Sequence, residues 1–177
     1  YKVMIELIIL FVLTKRELTM YGIQKAISDV FDAYTRPSFG AIKPALKRLE
    51  TAGFIRSRRS MSEGGKQSGF YSITNDGNAE LKRLILEDLS DNPVQFFSNA
   101  RIKISCASFL SDEEASALLL RIKTKALEHK FSAENILNDE YTHLSFYQRV
   151  VLDNALCEYQ NFVTLIETLE KENARNS

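Results

Sequence analysis

Residues 36–61, "RPSFGAIKPALKRLETAGFIRSRRSM", decide how this chain is read. Pro37 pushes Arg36 toward extended backbone, Ser38 stands at an N-cap position, and Gly53 at a helix stop. Between them Ile42, Ala45, Leu46 and Leu49 share one arc of a helical wheel at ~100° per residue. Pro44 interrupts that helix, and an interior proline costs about 3 kcal/mol. The wheel lowers this cost. Pro44 points away from the apolar arc, and the carbonyl it crowds belongs to Gly40, the residue most free to yield. The outward face is then Gly40, Pro44 and Lys47, edged by Ala41, Lys43 and Arg48. Small residues let a helix approach a surface closely, and lysines supply phosphate contacts. A helix entering the major groove of DNA needs both.

The neighbouring segments give this helix a setting. Upstream, "VMIELIILFVL" (3–13) is apolar nearly all round but carries Glu6. It is too short to span a bilayer and reads as an enclosed helix. Thr19 can cap a second helix over 20–31, with Tyr21, Ile23, Ile27, Val30 and Phe31 as apolar members. Downstream, "FIRSRRS" and "GFYSI" flank a loop containing Gly64-Gly65, which predicts a β-hairpin. Thr74 then caps a fourth helix. The order helix, helix, helix, hairpin, helix predicts a winged helix-turn-helix, whose second motif helix enters the major groove. Arg58 on the hairpin, with Lys66 and Gln67 past its tip, fits the flanking backbone.

The 177 residues divide into halves of opposite charge. Residues 1–90 hold 14 Lys/Arg against 10 Asp/Glu, and residues 91–177 hold 9 against 13. The basic residues crowd between Arg36 and Lys66, and a local basic patch in a neutral chain says more about partners than net charge. After the "SDNP" break at 90–93 the rest reads as helical. Phe97, Ala100, Ile104 and Ala107 share a face, and Ser111 with Glu114 has capping-box spacing. Leu152, Leu156, Tyr159, Val163 and Ile166 form an apolar seam on a long final helix, which predicts a helical partner. The expected architecture is mostly α with a small β-hairpin wing. A DNA-binding domain spans 1–90 and a helical dimerisation domain spans 91–177.

Enzymatic readings find no support in the residues. His129 and His143 lack a zinc-binding set, "SEGGK" is neither a P-loop nor a dinucleotide fingerprint, and no nucleophile pairs with a base. Cys106 and Cys157 lie among apolar residues and read as buried, reduced packing residues of a cytoplasmic protein. No metal or cofactor is expected.

Four stretches together resemble the PadR family of bacterial transcription regulators: "MYGIQKAI", "RPSFGAIKPALKRLETAGFI", "SEGGKQSGFYSITNDG" and "ELKRL". The marks are Tyr21-Gly22, Ser38, Gly40, Pro44-Ala45-Leu46, Leu49-Glu50, Gly53, Tyr71 and the Thr74/Gly77 pair. Two positions depart from the family's habit. Phe39 stands where proline usually follows the serine, and Lys43 where an aromatic usually precedes the helix proline. The segment "FYQRVVLDNALCEYQNFVTLIETLE" is similar to the last helices of the longer-tailed, virulence-activator-like branch, without the Trp often found near its end. That resemblance implies a homodimer acting on a pseudo-palindromic site in double-stranded DNA. The expected DNA-facing set is Tyr21, Arg36, Ser38, Phe39, Gly40, Ala41, Lys43 and Lys47, with Arg58, Lys66 and Gln67 from the wing. The expected dimer contacts are Phe97, Leu152, Leu156, Tyr159, Val163 and Ile166. Some family members bind small aromatic effectors, but this chain has no Trp to stack on one, and no ligand is predicted. Two alternatives remain open at this point: a winged-helix module for protein partners, and a ligand-gated sensor with an aromatic pocket at the dimer interface.

Overall fold

The apolar run near the start folds as α1 (Lys2–Leu13) in the computed structural model, which describes residues 2–61 and 67–176. Leu7, Ile8, Ile9 and Leu10 have no exposed surface, so successive residues on every side of this helix are covered. Each such side chain contributes about 1.5–3 kcal/mol by burial. What covers them follows in the chain. α2 (Met20–Phe31) starts at Thr19, whose hydroxyl accepts the Gly22 N–H at 3.1 Å, and buries Ile23, Ile27 and Phe31 at steps of four. The Phe31 ring meets Phe11 of α1 edge-on, with centroids 6.1 Å apart.

α3 (Phe39–Thr51) begins directly after Ser38, as the N-cap position predicts. Ser38 occupies the N-cap with extended backbone, but its hydroxyl caps nothing; its carbonyl instead accepts the N–H groups of Ala41 and Ile42. The helix ends in a Schellman motif. Phe54 N–H reaches Leu49 O at 2.9 Å and Gly53 N–H reaches Glu50 O at 3.0 Å, with Gly53 at φ +79° where a side chain would be strained.

The hairpin forms as expected from β2 (Ile55–Met61) and β3 (Gln67–Ile73), paired antiparallel from Ile55 opposite Ile73 to Met61 opposite Gln67. Its tip, with Gly64-Gly65 and Lys66, lies outside the described residues. A third strand, β1 (Leu18–Thr19), joins the far side of β3 and makes the sheet order β1-β3-β2. α4 (Asn75–Leu86) follows, with the Thr74 hydroxyl accepting Gly77 N–H at 3.0 Å and donating to Gly53 O at 2.8 Å. A Cβ on Gly77 would stand 2.0 Å from the Phe54 carbonyl oxygen, so glycine is required there by close approach.

Two compact units emerge, residues 1–109 and 110–177. The division falls after α5 (Pro93–Ser105) and a short 3-10 turn, Ala107–Phe109. The reason is the buried face of α5: Phe96, Ala100, Ile102 and Lys103 are covered in the first unit. Phe97 and Ile104, two members of the face expected from spacing, are only half-buried. Cys106 is buried, and burial pushes its thiol well above the ordinary range. Cys157 is exposed, which corrects the expectation that both cysteines are packed inside.

The second unit is a pair of long helices, α6 (Asp112–Asn138) and α7 (Phe146–Asn176). The capping box at Ser111 and Glu114 opens α6 as expected. Leu118, Leu119, Ile122 and Ala126 are buried on one side of α6, and Tyr159, Phe162, Val163 and Ile166 on one side of α7. His129 stacks on Tyr159 with centroids 5.8 Å apart, and Lys123 bridges Glu167 at 3.4 Å and Glu170 at 3.0 Å. These contacts set the two helices antiparallel. Among the described residues no helix is long and apolar enough to cross a membrane.

Candidate nucleic-acid interface

The exposed face of α3 is set by its buried one. Ile42, Ala45, Leu46 and Leu49 have 2% exposure or less, which turns Gly40, Lys43, Pro44 and Lys47 outward. Ala41 is half-buried at the edge. The surface here is low: a glycine without a side chain, the flat ring of a proline, and two lysines rising from it. Among the described residues neither Lys43 nor Lys47 has an ion-pair partner.

The nearby arginines differ. Arg48 of α3 is bound at Nε by Glu6 of α1, 2.6 Å away. Arg36 pairs with Asp32 through two hydrogen bonds, and Arg58 of β2 pairs with Glu17 through another two. Arg58 also lies over the Phe70 ring, 4.9 Å from its centroid. The hydrogen bonds from these arginines hold the Asp32 and Glu17 carboxyls below their usual range. Among the described residues Lys43 and Lys47 are thus without ion pairs, whereas Arg36, Arg48 and Arg58 are already held by acids that a phosphate would have to replace.

Of the other residues expected at this surface, Tyr21 on the first turn of α2 is the most open, 69% exposed. Ser38 and Phe39 are exposed at the start of α3. Gln67 lies in β3 opposite Met61, and Lys66 lies outside the described residues. Reading by local pattern missed Glu6, Glu17 and Phe70. Their partners stand 42, 41 and 12 residues away, beyond any helical or strand period.

This arrangement of three helices, a wing and a fourth helix has relatives. Residues 9–83, from within α1 to within α4, match the family model described as "Transcriptional regulator PadR-like family". The negative transcriptional regulator PadR of Bacillus subtilis (strain 168) is 26% identical over 171 residues, 91% of this chain and 92% of that protein. The chain belongs to the PadR-like family of transcriptional regulators. It is a family of regulators and not of enzymes. The crystal structure of Bacillus subtilis PadR in complex with operator DNA is 24% identical, covering 94% of this chain and 96% of that one, with a TM-score of 0.47. The Thermoplasma acidophilum protein TA0346 is 34% identical, covering 44% of this chain and 72% of that one, with a TM-score of 0.39.

The residues expected at the dimer contact of a PadR-like tail vary in burial. Tyr159, Val163 and Ile166 are buried within their own chain, and Leu152 and Leu156 are half-buried on α7. Phe97 packs edge-on against Phe96, with Arg101 5.3 Å from its ring centroid. The helical seam read from spacing is thus mostly used inside one chain. Left open are Leu120, Leu127 and Phe131 on the side of α6 opposite its buried face, and Tyr147, Val151 and Leu165 on a flank of α7.

Proposed function

We propose that this regulator binds double-stranded DNA as a cytoplasmic homodimer, with α3 of each copy in successive major grooves of a pseudo-palindromic operator. The observation that carries the reading is the outward face of α3, where Gly40 and Pro44 keep the surface low beside two lysines, Lys43 and Lys47, that have no ion pair among the described residues. A helix of this profile reaches base edges closely while its lysines meet phosphates. Ala41, Phe39 and Ser38 edge that contact, and Tyr21 and Arg36 flank it. Arg58 meets the flanking backbone by exchanging the Glu17 carboxylate for a phosphate.

The same reading calls for a second copy. Two recognition helices on a two-fold axis read half-sites about ten base pairs, or ~34 Å, apart or a multiple of that. Leu120, Leu127 and Phe131 are exposed at helical spacing on the side of α6 away from its buried face, and Tyr147, Val151 and Leu165 are exposed on α7. Exposed apolar side chains on a two-helix unit are what a second copy covers.

Selection of genomic DNA fragments by the purified protein, followed by sequencing, tests the proposal. The expected result is an inverted repeat with that separation. Fragments sharing no motif overturn it and favour a winged-helix module that binds a protein.

A further inference from the structure

Phe39 is the first residue of α3, and 39% of this large apolar side chain stands in water. The chain is fixed on both sides of it. Pro37 before it is buried, and the Ser38 carbonyl accepts the N–H groups of Ala41 and of Ile42, itself buried. The backbone therefore enters α3 along one path with the phenyl ring held at its start. Among the described residues no other ring lies against it.

Lys43 and Lys47 follow Phe39 at steps of four, and all three side chains are exposed. Residues spaced by four form one ridge along a helix. The two lysines on this ridge suit phosphates, which hold a helix to any DNA. Phe39 heads the ridge, at the end whose residues contact base edges when a recognition helix enters the major groove. Helical side chains lean toward the N-terminus, so the ring leads.

A phenyl ring has neither donor nor acceptor, and the polar atoms of a base edge give it nothing to pair with. The apolar group that unmodified base pairs present in the major groove is the C5-methyl of thymine. Ring against methyl removes apolar surface of both from water. Cytosine methylated at C5 would offer the same group.

We propose that Phe39 is a specificity-determining residue that reads the C5-methyl group of a thymine in each half-site. The proposal rests on the reading of α3 as the helix that enters the major groove. It concerns one head and its own half-site. Lys43 and Lys47 set how firmly the ridge is held, and Phe39 sets which base pair stands at its head.

The test uses the full-length chain and a duplex recovered by wild-type selection from genomic fragments. Each thymine of a half-site is replaced in turn by deoxyuridine, which removes one methyl group and keeps the base pairing. Wild type is expected to lose about fourfold in affinity at one thymine, the effect of burying one methyl group. In Phe39→Ala the thymine and uracil duplexes are expected to bind equally at that position, and in Phe39→Leu the preference for thymine is expected to remain. A residue that only shapes the start of the helix would shift both duplexes together and leave their ratio alone. A ratio near one at every thymine in wild type overturns the proposal, and so does a ratio that persists in Phe39→Ala. Cytosine and 5-methylcytosine, each paired with guanine at the sensitive position, separate the two sources of the methyl group. Tighter binding to 5-methylcytosine than to thymine overturns thymine as the base that is read. Should Phe39→Ala fail to fold, Phe39→Gln, with an amide in place of the ring, decides in the same terms. If the wild-type protein recovers no DNA, the DNA-binding reading falls and the proposal with it. That outcome is visible before any variant or uracil duplex is compared.

Discussion

The guanidinium of Arg58 closes on the carboxylate of Glu17, Nε 2.8 Å from Oε2, across 41 residues of sequence. The pair joins the strand that leads to the wing tip to the turn after α1, and the Phe70 ring lies against the other side of the guanidinium. An exposed pair of this kind adds little to stability. In the proposed complex its consequence is for binding, since Arg58 meets DNA already neutralised.

Glu17→Gln removes that neutralising charge and keeps the shape. The expected outcome is tighter DNA binding at a given salt concentration, because Arg58 no longer has to leave a carboxylate to meet a phosphate. Acid acts in the same direction on the clamp. The hydrogen bond from Arg58 lowers the Glu17 carboxyl from its ordinary 4.5, so the clamp is intact above that value and is lost as pH falls through the lowered one. Exchange protection of the Arg58 Nε–H, followed by NMR from neutral to acid pH, checks the sign.

Two glycines invite opposite results from the same substitution. Gly77→Ala drives a methyl group into the Phe54 carbonyl, where backbone has to move, and is expected to cost more than about 4 kcal/mol or to abolish folding. Gly40 has only the Ser38 hydroxyl within reach, at 3.6 Å, and its φ is not positive. Gly40→Ala is therefore expected to fold with stability equal to wild type or up to ~1 kcal/mol higher, yet to bind DNA more weakly because the new methyl group stands on the recognition surface. Thermal melts and a gel-shift series on both variants separate the two roles.

The first unit was largely legible where local rules operate. Thr19 and Thr74 each cap the helix expected of them, Gly53 ends α3, and the two β-prone runs pair; in the second unit Ser111 does the same for α6. β1 was not legible, because two residues carry no alternation to detect. Lys103 was passed over because a lysine on an apolar face is ordinarily assigned to solvent; its pairing with the carbonyls of Leu84, Ile85 and Glu87 depends on where α4 stops in space. The seam on α7 was found, but a stripe at steps of three and four does not say which helix covers it. The chain's own α6 covers Tyr159, Val163 and Ile166, and the surface left for a partner lies on the faces turned away from them.

Lys43 and Lys47 separate phosphate contact from folding. Both are exposed and without ion pairs among the described residues, so alanine at either is expected to change stability by less than about 0.5 kcal/mol. Each loss of a phosphate contact flattens the salt slope by about 0.9, and the double variant flattens it by about twice that. An operator affinity unchanged in both single variants removes the α3 face from the interface.

The apolar faces of the second unit make the last prediction. Phe131 is 63% exposed on the side of α6 opposite Ile122 and Ala126, while His129, two residues earlier, stacks on Tyr159 inside the pair. Phe131→Glu together with Leu120→Glu places two charges on the outer stripe and leaves the α6–α7 seam untouched. Helix content is expected to hold, because neither side chain is part of the buried layer, and sedimentation is expected to shift from dimer to monomer at micromolar concentration. Val163→Glu is the opposite case: it puts an uncompensated charge between α6 and α7, and is expected to melt the second unit itself. A dimer that survives the outer pair of substitutions while remaining folded would place its interface elsewhere on the chain. A monomer that still binds single half-sites would show that the head reads DNA alone and that the tail supplies only the second copy.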